Sequence, residues 1–222
     1  MKQSKTIEIR ENILAANARA ATELRDSFAH RGVLVVNLIS SPGSGKTTLL
    51  EATLRHMTGL KAAVLEGDIA TERDSDRIRK LGIPARQILT GGACHLDARQ
   101  VHRELAEAAF PDIDLLFIEN VGNLICPTSY DLGEDFKVVL LSVTEGDDKP
   151  FKYPGIFSRA AVTVISKIDL LPHVNFDLRA VEDQVRTLNP DSQIIRTSAR
   201  TTEGIDAWCK HLGDALDAKR TT

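Results

Sequence analysis

The chain has 222 residues, of which 42% are hydrophobic and 27% charged, with a formal net charge of −3 at pH 7; that size supports one domain with a single sizeable core. The slightly acidic balance gives no reason to expect nucleic acid as the main partner, and apolar runs of only about eight residues exclude a membrane-spanning helix. Three widely spaced cysteines argue against a disulfide framework, and the opening MKQSKTIEIREN has no apolar signal-peptide core, so a cytoplasmic location is expected.

From Ile7 to Phe28 the apolar residues Leu14, Ala18, Ala21, Leu24 and Phe28 recur at intervals of three or four, the spacing of one helical face. His30, Arg31 and Gly32 supply a stop, so residues 1–32 read as an N-terminal helix packed on a core formed by residues 33–222, within one domain. VLVVNLISSPGSGKTTLL follows: an apolar strand, a small-residue loop and a helix opening on Lys46. The amides of Gly43, Ser44 and Gly45 can point into one concavity at a helix N-terminus, which suits a polyphosphate. Lys46 would neutralise β and γ oxygens, and the Thr47 hydroxyl, with Thr48 beside it, faces a phosphate-bound magnesium ion. The full phosphate-loop signature asks for glycine where Ser40 stands.

KAAVLEGDI is a second buried strand, TERDSDRIRKLGI a charged helix, QILT a third strand, and GGACHLDARQVHRELAEAAF a helix with Cys94 and His95 in its first turn. IDLLFIEN, FKVVLLSVT, AAVTVISK and QIIRT continue the strands, and two further amphipathic helices close the chain. Continuous apolar strands alternating with helices predict an α/β fold: a mostly parallel sheet covered on both faces, with ligands beyond the carboxyl ends of the strands. Ser40 to Thr47, Glu66 to Asp68, Glu119 to Gly122 and Ser166 to Asp169 all fall just after such strands.

SKIDLLP carries the choice of base. The Asp169 carboxylate can accept two parallel hydrogen bonds from guanine N1–H and its 2-amino group, which adenine does not offer. Lys167 would lay its stem along the purine, and Ser198-Ala199 would supply a backbone amide to the guanine oxygen; Ser166 stands where the common motif has Asn. Glu119 would hold magnesium, the Gly122 amide would reach a γ-phosphate, and Asp68 either shares the magnesium role or orients water, or else caps the helix after Thr71-Glu72. Asp74 and Asp76 read as surface charges, and no arginine finger stands out, so slow intrinsic hydrolysis is expected.

Cys94, His95 and Cys126 form a soft donor set suited to zinc or nickel, and a helix N-terminus would lower the Cys94 pKa toward thiolate. Three ligands leave a tetrahedral site incomplete, and a second copy around a two-fold axis would complete it. His102 either joins them or faces solvent; Cys209 beside Trp208 reads as core.

Together GSGKTT, EGDIATERDSDRI, GGACHLDA, IENVGNLICP, EGDDKPFKYP and SKIDLLP resemble the HypB family of nickel-incorporation GTPases in [NiFe]-hydrogenase maturation, from about Val33 to Ala199. The resemblance implies a P-loop NTPase fold of the SIMIBI-like GTPase kind. It further implies a GTP-dependent homodimer with nickel or zinc at its interface on Cys94, His95 and Cys126. The implied partners are a HypA-type zinc protein and the hydrogenase large subunit, with Lys149 and Lys152 near the facing subunit's nucleotide, although by residue type alone these lysines read equally as loop surface charges. Family members often begin with a cysteine motif or histidine tract that MKQSKTIEIREN lacks, which favours metal delivery over storage. The alternatives are a urease-type nickel GTPase and an ATP-dependent enzyme of a related fold, whose partitioning members carry a lysine where Ser41 stands.

Overall fold

The computed structural model describes residues 2–68, 73–107, 110 and 112–221, with side chains from Ile13 onward except that of Arg73. Seven strands form one wholly parallel sheet: β1 (Leu34–Ser40), β2 (Ala62–Asp68), β3 (Ala85–Leu89), β4 (Leu115–Glu119), β5 (Phe136–Ser142), β6 (Val162–Ser166) and β7 (Gln193–Arg196). Their order is β3-β2-β4-β1-β5-β6-β7. Every residue of β1 and β4 is buried, as the unbroken apolar runs require of strands covered on both faces. The order places β1 at the centre and β4 beside it, so the loops after β1, β2 and β4 share one carboxyl edge.

One face packs Leu34, Val36 and Leu38 of β1 against Leu49 and Leu50 of α2 (Lys46–His56), Ile78 of α3 (Arg73–Arg79), and Trp208 and Leu212 of α8 (Ile205–Thr221). Trp208 is fully buried and its indole N–H donates to Thr53 Oγ1 at 2.9 Å, which removes the cost of burying that donor. On the opposite face, Ala21, Leu24 and Phe28 of α1 (Lys2–His30) meet Val33, Val35, Ile118 and, from α4 (Ala98–Glu107), Val101. The expected apolar face holds for Ala21, Leu24 and Phe28, whereas Leu14 is half-buried, Ala18 is exposed and the buried residue of that turn is Asn17. Farther along, Val181 and Val185 of α7 (Leu178–Leu188) cover Val139, Leu141 and Ile165 beside the short helices α5 (Lys149–Lys152) and α6 (Pro154–Phe157). No helix among the described residues is long and apolar enough to cross a membrane.

Two sequence expectations shift. β3 begins at Ala85, two residues before QILT, because Val64 of β2 pairs with Ala85. The helix expected from Gly91 starts only at Ala98, because Asp97 caps it: Asp97 Oδ1 accepts from the Gln100 amide and Gln100 Oε1 accepts from the Asp97 amide, both at 2.9 Å. Thr71 and Glu72, assigned to the head of the charged helix, lie outside the described residues.

Candidate nucleotide and metal site

Gly43 and Gly45 hold left-handed φ values of 79° and 95°, which turn the chain from β1 into α2 at no steric cost. A cleft of about 490 Å³ opens above them, lined by Lys46, Thr47, Asp68, Glu119 and Gly122 among others. Lys46 is buried and donates to Ser40 Oγ at 3.0 Å, so the serine in place of glycine is a lysine partner. The Thr47 hydroxyl meets the Glu119 carboxylate at 3.0 and 3.2 Å. Glu66, opposite Glu119 in the β2–β4 register, accepts from Ser75 Oγ at 2.5 Å.

Burial is the main force on both carboxyls: it pushes Glu66 up to about 8 and Glu119 to about 7 from an ordinary 4.5, the latter against the pull of Lys46 and Thr47. Each therefore holds its proton more tightly folded than unfolded. The stability this contributes is fully present below pH 4.5 and is lost as pH rises toward 7–8. Glu66→Gln, which keeps an acceptor for Ser75, should raise the melting temperature of the nucleotide-free chain by about 10 °C at pH 8 and leave it nearly unchanged at about pH 4. Thermal unfolding followed by circular dichroism at both pH values checks this, and parallel shifts would refute it.

An adjoining 340 Å³ pocket is lined by Thr48, Lys167, Asp169, Leu170 and Ala199. Ser166 Oγ donates to the Ser44 carbonyl at 2.7 Å and Lys167 Nζ to that of Gly43 at 2.7 Å, tying the SKID loop to the phosphate loop. Asp169 Oδ1 accepts from Ser198 Oγ at 2.6 Å. The expectation for Ser198 needs correction: its amide is spent on the Glu203 carbonyl at 2.9 Å, leaving Ala199 as the residue of the pair whose amide can face a base.

Cys94, His95 and Cys126 offer ligand atoms that all lie within 4.8 Å of one another, with Cys94 Sγ 3.6 Å from His95 Nδ1. Neither His102, which is exposed on α4, nor buried Cys209 belongs to the group. The cluster is fastened to the segment after Glu119. Asn120, buried, accepts the Leu96 amide at 3.2 Å, and Asn123 Nδ2 donates to the Cys94 carbonyl at 3.1 Å. Glycines make the same joints close: a Cβ on Gly122 would lie 2.9 Å from Pro42 Cγ, and one on Gly67 2.7 Å from Leu96 Cγ.

The model of the family described as "CobW/HypB/UreG, nucleotide-binding domain" matches residues 34–196. The chain is 49% identical over 209 residues to the hydrogenase maturation factor HypB of Azotobacter chroococcum, covering 94% of this chain and 68% of that protein. The chain belongs to the HypB family. It is also 44% identical to the hydrogenase/urease maturation factor HypB of Helicobacter pylori, covering 97% of this chain and 89% of that one. A crystal structure of Helicobacter pylori HypB in complex with nickel superposes with a TM-score of 0.85 at 41% identity, covering 93% of this chain and 96% of that one. HypB proteins are hydrogenase maturation factors by name, and the P-loop fold and parallel sheet expected for that family are present.

Within this HypB chain one electrostatic expectation fails. Cys94 is not at a helix head, since α4 opens at Ala98, and a hydrogen bond with the Cys126 thiol followed by burial pushes its pKa up rather than down. Metal binding there would displace thiol protons. Burial also lowers the His95 pKa, which keeps its imidazole neutral and able to ligate. Asp74, read as a surface charge, lines the cleft and pairs with Arg77 at 3.1 Å, while Asp76 pairs outside with Arg79. Sequence reasoning also missed Arg77, clasped to Glu51 at 2.8 Å, and the asparagine joints, whose partners depend on strand order. The start of α4 was available from Asp97 and Gln100 as a capping pair.

Proposed function

We propose that the chain is a GTP-hydrolysing metallochaperone that carries nickel, or zinc in its place, on Cys94, His95 and Cys126 and hands it on during [NiFe]-hydrogenase maturation. The observation that carries this is the fastening of that donor cluster to the segment following Glu119. A change at the nucleotide reaches the sulfur and imidazole donors through Gly122, Asn120 and Asn123 without crossing the core.

In this reading the amides of Gly43, Ser44 and Gly45 and the Lys46 ammonium cradle the phosphates, with Thr48 at the junction between the two pockets. Thr47, Glu119 and Asp68 are hard oxygen donors gathered along the cleft, so the set fits magnesium. When bound, magnesium neutralises charge on the triphosphate. Gly122 presents its amide to the γ-phosphate, Lys167 supports the purine, Asp169 reads guanine, and the Ala199 amide takes the guanine oxygen. Arg77 is held by Glu51 and Asp74, so the cleft has no free arginine among its described residues, and intrinsic turnover is slow.

Three donors call for a fourth from outside, which favours a homodimer closed by GTP. Lys149 lies 4.0 Å from Glu145, and Glu145 accepts from Ser44 Oγ at 2.5 Å, so the segment proposed to face a partner's nucleotide is anchored to its own phosphate loop. The remaining partners are a HypA-type zinc protein and the hydrogenase large subunit, in the cytoplasm. The Helicobacter pylori relative's name adds urease as a second recipient class.

Single-turnover hydrolysis of GTP together with nickel titration tests the reading. Lys46→Ala should abolish hydrolysis, and replacing both Cys94 and Cys126 by Ser should abolish the thiolate-to-nickel absorption. Absence of turnover in the unaltered chain would reduce the protein to a nucleotide-binding module.

A further inference from the structure

One aromatic contact lies against the donor cluster and none of the roles above uses it. The His95 and Tyr130 rings have centroids 3.8 Å apart with planes 39° from parallel. An imidazole on a loop turns about its Cβ–Cγ bond with little preference, so either nitrogen can be offered to a metal. Packed against Tyr130, the ring turns its Cβ-proximal edge toward Cys94, and the nitrogen on that edge is Nδ1, 3.6 Å from the sulfur.

Tyr130 is itself held firmly. Its carbonyl accepts from Lys137 Nζ at 2.6 Å, and Lys137 pairs with Glu134, the two side chains being 13% and 5% exposed. Glu134 also accepts from Asn37 Nδ2 at 3.3 Å, and Asn37 Oδ1 accepts from Asn120 Nδ2 at 3.3 Å. Asn120 in turn accepts the Leu96 amide next to His95, which closes the circuit. The imidazole is thus gripped twice, at its ring by Tyr130 and at the Leu96 amide that follows it by Asn120, and a largely buried polar chain joins the two grips. Low local dielectric makes such a satisfied chain stiff.

We propose that Tyr130 is the positioning residue for His95, presenting Nδ1 rather than Nε2 to the metal held with Cys94 and Cys126. This rests on the reading of those three residues as metal ligands. The ring and not the hydroxyl does the positioning, because the contact is between the two rings, 3.8 Å apart at their centroids and tilted by 39°.

The test uses the full chain with Co²⁺ or Zn²⁺ alone as probe and compares the unaltered protein with Tyr130→Phe, Tyr130→Ala and Tyr130→Leu. Tyr130→Phe should keep the metal affinity within about twofold and the same cobalt ligand-field bands. Tyr130→Ala should bind about 10–100-fold more weakly, with altered bands and with Nε2 ligation seen in histidine ¹⁵N spectra of the zinc form. Tyr130→Leu, which refills the space without an aromatic face, should follow Tyr130→Ala and guards against a variant that fails to fold. Unaltered affinity and Nδ1 ligation in Tyr130→Leu would overturn this inference alone. Absence of a thiolate–cobalt band in the unaltered chain would overturn the metal reading beneath it, and this inference with it.

Discussion

Asp169→Asn should weaken GTP binding by about 100–1000-fold and restore tight binding for xanthosine triphosphate. The first half follows from hydrogen-bond counting. A guanine offers two parallel donors, a carboxylate accepts both, and each charge-assisted bond contributes about 1.5–3 kcal/mol. The second half follows from geometry. Ser198 Oγ donates to Asp169 Oδ1 at 2.6 Å and is itself buried, so in the variant the amide oxygen stays with Ser198 and the NH₂ turns to the base. There it opposes guanine's 2-amino group but pairs with the 2-oxo group of xanthine. Equilibrium titration with both labelled nucleotides checks the result. If GTP affinity is unaltered, Asp169 does not read the base and the guanine reading fails at this residue.

Gly122→Ala should slow single-turnover GTP hydrolysis by about 100-fold while leaving GDP affinity within about threefold. The new β-carbon would sit 2.9 Å from Pro42 Cγ and 3.0 Å from the Pro42 nitrogen, so backbone rather than a yielding side-chain tip must move. The displaced amide is the one proposed above to meet a γ-phosphate, which GDP lacks. The displacement does not stop there, because Asn123, one residue further on, holds the Cys94 carbonyl and its Oδ1 takes the Ile125 amide at 2.9 Å. Unchanged hydrolysis in a folded Gly122→Ala protein would remove Gly122 from the catalytic reading.

What the sequence disclosed and what it withheld divide along physical lines. The central strands β1, β2 and β4 announce themselves locally: seven or fewer residues, mostly apolar, ended by a polar residue. The phosphate loop and the SKID segment are contiguous, so their chemistry is carried by spacing alone. Cys94-His95 and Cys126 could be nominated because sulfur and imidazole are rare enough to be noticed. Asn17, Asn120 and Tyr130 could not, since an asparagine or tyrosine acquires meaning only from what faces it. Asn17 sits in a helix that looked purely structural, yet its Oδ1 accepts the Ala98 amide and its Nδ2 donates to the Asp131 carbonyl, both at 2.8 Å, so the first helix fixes the start of α4. Asn120 meets Leu96 because β4 is inserted between β2 and β1, an order that no local pattern encodes.

The thiol correction has the same origin. The lowered Cys94 pKa expected from sequence depends on a helix head at Cys94, whereas α4 begins four residues later and the neighbour that raises the pKa, Cys126, is remote in sequence. Spacing located the donors; only their three-dimensional company set their protonation.

The most direct measurement is the nickel affinity of the unaltered chain when it is saturated with GDP and when it is saturated with a non-hydrolysable GTP analogue, read alongside its oligomeric state. Coupling through the Gly122–Asn123 segment predicts affinities that differ by about 5–150-fold between the two nucleotides, with the ratio collapsing toward one in Gly122→Ala. Equal affinities and the same oligomeric state with both nucleotides would contradict the account.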